Sequence, residues 1–253
     1  MTARKPYLAG NWKMNLERES ALGLARTLGE HLAGRDDVDV AVAPAFVYVA
    51  EVVAALQGSP VKVGAQNVCD QEAGAFTGEV SAPMLKDVGC DFAIVGHSER
   101  RHVYGESDAL VNAKVHQLLG AGLEVILCVG ETLDERQGGQ TETVVRRHLT
   151  EGLSGVSRQD LARVTVAYEP VWAIGTGQVA TPEQAGEVHQ YLRGLAKGLY
   201  DENAGEALRI QYGGSVKPGN VRDLMAVPDV DGALVGGAAL TVDHFVPICD
   251  FAR

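Results

Sequence analysis

Val164-Thr165-Val166-Ala167-Tyr168-Glu169-Pro170-Val171-Trp172-Ala173-Ile174-Gly175-Thr176-Gly177 is one short strand and the turn that leaves it. β-Branched and aromatic residues favour extended backbone over Val164 to Tyr168. A carboxylate, Glu169, then stands at the strand's C-terminal end, and Pro170 stops the ladder at once. Val171, Trp172, Ala173 and Ile174 form an apolar segment, and Gly175-Thr176-Gly177 reads as a hinge. Two readings of this stretch are open. It is a base on a rigid support under a greasy cover, suited to abstracting a weakly acidic proton away from water, or it is a strand end with a glutamate in a surface turn.

The same unit recurs along the chain. Strands are predicted at Tyr7–Asn11, Val38–Ala43, Val61–Ala65, Phe92–Val95, Val125–Val129, Val164–Tyr168, Arg209–Tyr212 and Gly232–Val235. Helical patterns lie between them. Leu24, Leu28 and Leu32 share one face of Ser20–Leu32, and Asp108–Leu119, Val144–Leu153 and Val221–Val227 are similar. Thr181-Pro182-Glu183 reads as an N-cap followed by proline at the first helical position. Eight strands alternating with helices imply a parallel sheet with right-handed crossovers. Eight strands in about 250 residues also suit a closed (β/α)8 barrel. An open doubly wound sheet is the rival, but Gly10-Asn11-Trp12-Lys13 follows the first strand in place of a Gly-x-Gly-x-x-Gly turn. No linker or composition shift interrupts residues 1–253, so a single α/β barrel domain is predicted.

The 253 residues suffice for a substantial core. Net charge is −11, which argues against nucleic acid or an anionic membrane as partner. An anionic ligand would then need a local positive field. Cys69, Cys90, Cys128 and Cys249 are scattered without zinc-type spacing, so no metal site is expected. The opening residues show no signal peptide, and no apolar run has spanning length. A cytoplasmic protein with free thiols is the expectation.

Barrel enzymes place their chemistry at the C-terminal ends of the strands. Asn11 and Lys13 follow strand one, His97-Ser98-Glu99-Arg100-Arg101 strand four, Glu169 strand six, Gly213-Gly214-Ser215 strand seven, and Gly236-Gly237 strand eight. Lys13 has three open roles: anion ligand, Schiff-base amine or ion-pair partner. His97 continues the inward face of Ala93 and Val95, as core residue or catalyst. Ser98-Glu99 opens a helix, whose N-terminus disfavours a cationic imidazole. Glu99 is a supporting candidate at the site or a helix-start carboxylate. The two Gly-Gly segments read as phosphate loops or simple turns, with Ser215 beside the first and Gly175 as a further donor. Cys128 is more simply a buried thiol than a nucleophile.

Six segments together closely resemble the triosephosphate isomerase family: Asn11 to Asn15, Gly96 to Arg101, Cys128 to Glu131, Ala167 to Gly177, Tyr212 to Ser215, and Gly236 to Ala238. The resemblance covers essentially the full chain. It implies interconversion of dihydroxyacetone phosphate and D-glyceraldehyde 3-phosphate, with no cofactor and no metal. Carried over from the family, Glu169 is the base, His97 the neutral electrophile, Lys13 a ligand of phosphate and enediolate, and Asn11 a holder of the substrate oxygen. Gly175, Ser215, Gly236 and Gly237 would bind phosphate. Pro170, Val171, Trp172, Ala173, Ile174, Thr176 and Gly177 would form a lid that Tyr212 and Ser215 latch near Ala180. Ile174 and Leu234 would cover Glu169 and raise its proton affinity by desolvation.

The resemblance also implies a homodimer, in which Phe76, Thr77, Gly78 and Glu79 enter a pocket on the partner. Thr77 would approach the partner's Asn11 and His97. One departure from the family is visible: Ala239 stands where many members carry serine, removing a hydroxyl expected near the phosphate loop. Two other readings remain: a Schiff-base aldolase using Lys13, and a non-catalytic phosphate-binding barrel.

Overall fold

A computed structural model describes residues 4–175 and 178–252. Its eight parallel strands close on themselves in sequence order. The first half runs β1 (Tyr7–Asn11), α1 (Arg18–His31), β2 (Asp39–Ala43), α2 (Val49–Ala55), β3 (Lys62–Ala65), α3 (Ala82–Asp87) and β4 (Phe92–Val95). After it come α4 (Ser98–His102), α5 (Asp108–Gly120), β5 (Glu124–Val129), α6 (Leu133–Gln137), α7 (Thr141–Gly152), α8 (Arg158–Leu161) and β6 (Val164–Tyr168). The barrel is completed by α9 (Pro182–Leu199), α10 (Glu202–Ala207), β7 (Arg209–Tyr212), α11 (Val221–Met225), β8 (Gly232–Val235) and α12 (Val242–Cys249). Short 3-10 turns at Val171–Ala173 and Gly237–Leu240 follow β6 and β8.

All eight strands lie where the sequence predicts them, with ends shifted by at most one residue. β2 starts at Asp39, β3 at Lys62 and β5 at Glu124. The shifted residues are at the N-terminal rim, where Lys62 pairs with Glu124 across 2.6 Å and Arg209 with Asp39 across 2.6 Å. Charge pairing extends β5 to Glu124, beyond its apolar run, whereas β2 and β3 begin one residue later than predicted and leave Val38 and Val61 outside them. Thr181 caps α9 through a reciprocal box with Gln184, and Pro182 takes the first turn.

Two apolar shells support the site. Inside the barrel, Tyr7, Ala9, Ala41, Phe92, Ile94, Ile126, Ala167 and Leu234 pack together. Outside it, strand side chains such as Val40, Val95, Val125 and Val166 meet helix residues such as Leu28, Val115, Leu149 and Leu192. Alternation between these shells is the period-two geometry of each strand. It directs Asn11 and Glu169 toward one end of the barrel axis, but not His97: Ala93 and Val95 face the helices rather than inward as predicted, and Gly96 at φ 68° breaks the alternation and turns His97 into the cleft that all three line. Among the described residues, no helix is long and apolar enough to cross a membrane.

Candidate active site

The strands' C-terminal ends surround a cleft of about 760 Å³. Asn11, Lys13, His97, Glu169, Ile174, Gly175, Ser215, Leu234, Gly236 and Gly237 line it, together with Gly213 and Gly214. The structure thus brings together the Glu169 carboxylate, the His97 imidazole, the Lys13 ammonium and both Gly-Gly segments.

Glu169 is 2 % exposed, and its partners explain why it remains charged. Oε2 accepts from the Ser98 backbone N–H at 2.9 Å, and Oε1 lies 2.9 Å from His97 Nε2. Ser98 opens α4, so this N–H is one of the donors a helix start leaves without an internal partner. Burial is the largest influence and pushes the carboxyl's pKa upward. His97, the Ser98 N–H and Lys13 together outweigh it, so Glu169 lies below the ordinary glutamate value. Desolvation thus acts in the expected direction, but in this arrangement the partners prevail.

His97 is also buried. Its Nδ1 accepts from the Glu99 N–H at 3.3 Å, which assigns the ring proton to Nε2, the nitrogen facing Glu169. Burial pulls the ring toward neutrality, as does Lys13, but the Glu169 charge prevails and raises the pKa above the ordinary value. The helix start contributes as the sequence suggests, through a specific N–H, and the carboxylate opposes it. Moving Glu169 away would leave burial and Lys13 to return the ring to its neutral form.

The pair has a definite pH signature. Glu169's depressed folded pKa contributes stability above the unfolded value, about 4.3, that is lost as pH falls through the folded value. His97's raised folded pKa contributes stability below about 6.5 that is lost as pH rises through its folded value. The two windows overlap between about pH 4.5 and 6.5. The thermal stability of wild type over His97→Gln is therefore expected to be widest near pH 5–6 and to narrow above about pH 7. Melting curves across this range check it, and a margin that widens above pH 7 contradicts it.

Lys13 sits at φ 51°, an uncommon left-handed conformation for a lysine. Asn11 Oδ1 accepts its N–H at 3.0 Å, and Gln66 Nε2 donates both to its carbonyl (2.8 Å) and to that of Ala43 (2.9 Å). These bonds hold the strained turn that turns the ammonium toward the cleft, where Nζ pairs with Glu99 Oε1 at 2.6 Å. Cys128 is fully buried with its thiol pKa raised well above the usual value, by burial first and the Glu169 charge next. It is a neutral packing residue here.

The segment after β6 rests on Glu131, fully buried just past the end of β5. It accepts from Tyr168 Oη (3.1 Å), Trp172 Nε1 (3.0 Å) and Arg136 Nη1 (3.0 Å), and its carbonyl accepts the Val171 N–H at 3.0 Å. The Arg136 guanidinium also lies 4.8 Å above the Trp172 ring. Pro170 and Ala173 are buried, while Val171, Trp172 and Ile174 are half-buried. Gly175 is exposed at φ 68°. Thr176 and Gly177 lie outside the described residues. Tyr212 is buried and has no hydrogen bond of ordinary length on its hydroxyl. The Ala180 backbone is close enough to oppose, without cancelling, the effect of burial that raises the phenol to about 12.

Ser98, Gln66 and Glu131 escape the sequence reading. Ser98 works through its backbone, and the other two join segments far apart in the chain. Only the helix-start pattern at Ser98 carried a usable signal. Ala239 corrects a further expectation. Its side chain is buried against β1, where a Cβ on Gly10 would lie 3.0 Å from it, and it does not line the cleft. The residue at this position fills the core, and no donor to the phosphate loop is missing.

Phe76, Thr77, Gly78 and Glu79 lie on a loop whose residues 71–79 are all exposed. Cys69 N–H to the Val80 carbonyl, 2.8 Å, closes its base. Beside Lys13, Met14 is 95 % exposed, and a second cavity of about 250 Å³ carries Met14, Phe46 and Tyr104 together with Asn11 and His97.

The family described as Triosephosphate isomerase matches residues 6–252. A triosephosphate isomerase of Thiobacillus denitrificans is 53% identical over 246 residues, covering 97% of this chain and 98% of the relative. One of Carboxydothermus hydrogenoformans is 50% identical over 245 residues, covering 97% and 98%. One of Syntrophotalea carbinolica is 48% identical over 248 residues, covering 98% of each chain. With the barrel and its cleft already in place, these likenesses identify the family: the chain belongs to the triosephosphate isomerases.

Proposed function

We propose that the protein, as one catalytic domain, interconverts dihydroxyacetone phosphate and D-glyceraldehyde 3-phosphate by proton transfer through an enediolate, a step of glycolysis and gluconeogenesis. The observation that carries this reading is the Glu169 Oε1 to His97 Nε2 contact of 2.9 Å at the mouth of the cleft, with Lys13 beside it. Substrate exchanges that contact for two new ones. Glu169 takes a proton from one carbon and returns it to the neighbouring carbon. His97, neutral, donates from Nε2 to the carbonyl oxygen on which charge develops, and passes the hydroxyl proton from one substrate oxygen to the other, so that one carbonyl forms as the other becomes a hydroxyl. The Lys13 ammonium and the Asn11 side chain stabilise the same oxygen and the phosphate.

The Gly213-Gly214-Ser215 and Gly236-Gly237 segments bind the phosphate, whose charge needs backbone N–H groups that side chains do not obstruct. Gly175 adds a donor when the lid closes. Closure brings Ile174 toward Leu234 over Glu169, excludes water and protects the intermediate from losing phosphate. Tyr212 and Ser215 hold the lid shut at its C-terminal hinge, near Ala180. Glu99 keeps Lys13 in register until substrate arrives, and Cys128 packs beneath the base. The test is direct: purified protein should convert D-glyceraldehyde 3-phosphate to dihydroxyacetone phosphate without added cofactor. Saturable substrate binding without turnover would favour a phosphate-binding barrel, and a borohydride-trapped adduct on Lys13 a Schiff-base aldolase.

We further infer a cytoplasmic homodimer. The exposed loop carrying Phe76 and the exposed Met14, beside a cavity that also holds Phe46 and Tyr104, support this reading as apolar groups a partner subunit would cover. Thr77 of one protomer then approaches Asn11 and His97 of the other. Sedimentation showing only a 26.8 kDa species at micromolar concentration would contradict this assembly.

A further inference from the structure

α7 carries one buried side chain that its apolar face does not call for. Val144, Val145 and Leu149 are buried core residues, and His148 lies among them at 4 % exposure. Its Nδ1 accepts the Gly130 N–H at 3.3 Å. Gly130 follows the last residue of β5, past the end of its ladder with β6. The Gly130 N–H is thus supplied with an acceptor by a helix, in a place where the sheet offers none.

The same glycine touches the base. A Cβ on Gly130 would fall 1.7 Å from the Glu169 carbonyl oxygen and 2.6 Å from its carbonyl carbon, so the two backbones are in direct apposition. Glu169 N–H donates to the carbonyl of Val129, the neighbour of Gly130, at 2.8 Å. The end of β5 is therefore the seat of Glu169, and His148 fixes one side of it. On the far side of the ring, Nε2 faces Asp108 Oδ1 at 3.9 Å and Arg147 at 3.2 Å. Asp108 in turn pairs with Arg101, which donates to the Gly96 carbonyl at 2.8 Å, immediately before His97. One buried cluster behind the barrel thus reaches the backbone under both the base and the electrophile.

We propose that His148 is a positioning residue for the isomerisation, holding Gly130 so that the Glu169 carboxylate meets the substrate carbon in line. The proposal rests on the reading of Glu169 as the base. It adds a role for a residue 21 positions away on an outer helix. Its signature is a loss in kcat with KM preserved, because the phosphate segments after β7 and β8 are on other strands. A positional error of about 1 Å at a reacting group can cost on the order of a hundredfold in rate.

Three variants test it in the full-length protein. His148→Leu fills the space without an acceptor, and His148→Ala opens the space to solvent. His148→Asn places Oδ1 where Nδ1 stood. Leu and Ala are expected to lower kcat at least tenfold with KM within about twofold, and Asn to restore kcat to within about threefold of wild type. Deuterium exchange at the Gly130 amide should quicken in Leu and Ala and stay slow in Asn.

A second readout needs no deletion. Burial, with Arg101 and Arg147 beside it, lowers the ring to about 4 against the opposing pull of Asp108 and Glu135. Acidification of wild type toward that value should move the Gly130 amide resonance, and that step should be missing in His148→Asn. The proposal is overturned if Leu and Ala keep kcat within twofold, if Asn is as damaged as Leu, or if KM rises in step with the loss of kcat. It is also overturned if Leu and Ala unfold the protein while the wild-type acid step in the Gly130 resonance persists in His148→Asn. A Glu169→Gln variant run alongside separates the two claims: its retention of full activity would defeat the base assignment, whatever His148 does.

Discussion

Glu169→Gln is expected to lose at least a hundredfold in kcat, the lower end of what a positioned general base supplies, while substrate still binds. The amide has nearly the shape of the carboxyl and can keep the Ser98 N–H bond that Oε2 now accepts. It carries no charge and has no useful affinity for a carbon-bound proton. The fold should survive, because Glu169 is held by its backbone through the Val129 carbonyl as well as by its side chain. Phosphate binding should also survive, because the Gly-Gly segments belong to β7 and β8. Parallel measurement of kcat and of binding of an unreactive phosphate ester checks both halves. Loss of binding together with rate would point to a structural role, and undiminished turnover would remove Glu169 from the chemistry.

Gly130→Ala should damage stability and catalysis together, through a different link in the chain of causes. The new methyl would sit 1.7 Å from the Glu169 carbonyl oxygen. That neighbour is backbone, so no rotamer change relieves the clash. The ends of β5 and β6 must part, straining the Glu169 N–H bond to Val129 and the Gly130 N–H bond to His148. Overpacking of this kind typically costs about 1–3 kcal/mol, and this contact is closer than most. The carboxylate would move with its backbone, and kcat should fall at least tenfold on the same positional argument. Thermal unfolding and kcat on one preparation test it. A variant with wild-type melting and wild-type kcat would show that the apposition is softer than described.

Much of this was legible in the residues. Strand cores such as Val164–Tyr168 and Phe92–Val95 announce themselves because a buried parallel strand is apolar on both faces. The end of β5 at Glu124 does not, because cross-strand charge pairing with Lys62 replaces apolar pattern there. Asn11, His97 and Glu169 were found because a polar group at the end of an apolar strand is conspicuous. Gln66 was not, since its two bonds join Lys13 and Ala43, and only the closed barrel makes those neighbours. The orientation of Ala239 toward Gly10 was equally hidden, since a 3-10 turn sets it. The resting charge of Glu169 was not legible from sequence for a related reason. Burial can be foreseen, but the His97 ring and Ser98 N–H that outweigh it come from a different strand end.

The most direct test of the central claim, that a single carboxylate moves a proton between adjacent carbons, is isomerisation in deuterated water. D-glyceraldehyde 3-phosphate is converted, and the dihydroxyacetone phosphate formed is examined by NMR. Proton transfer through Glu169 predicts solvent deuterium on the carbon that receives the proton, at one of its two hydrogen positions, because the base works from one face. The Glu169→Gln protein should show almost none in the same time. Label spread equally over both hydrogen positions of that carbon, or equal labelling by the two proteins, would contradict the account.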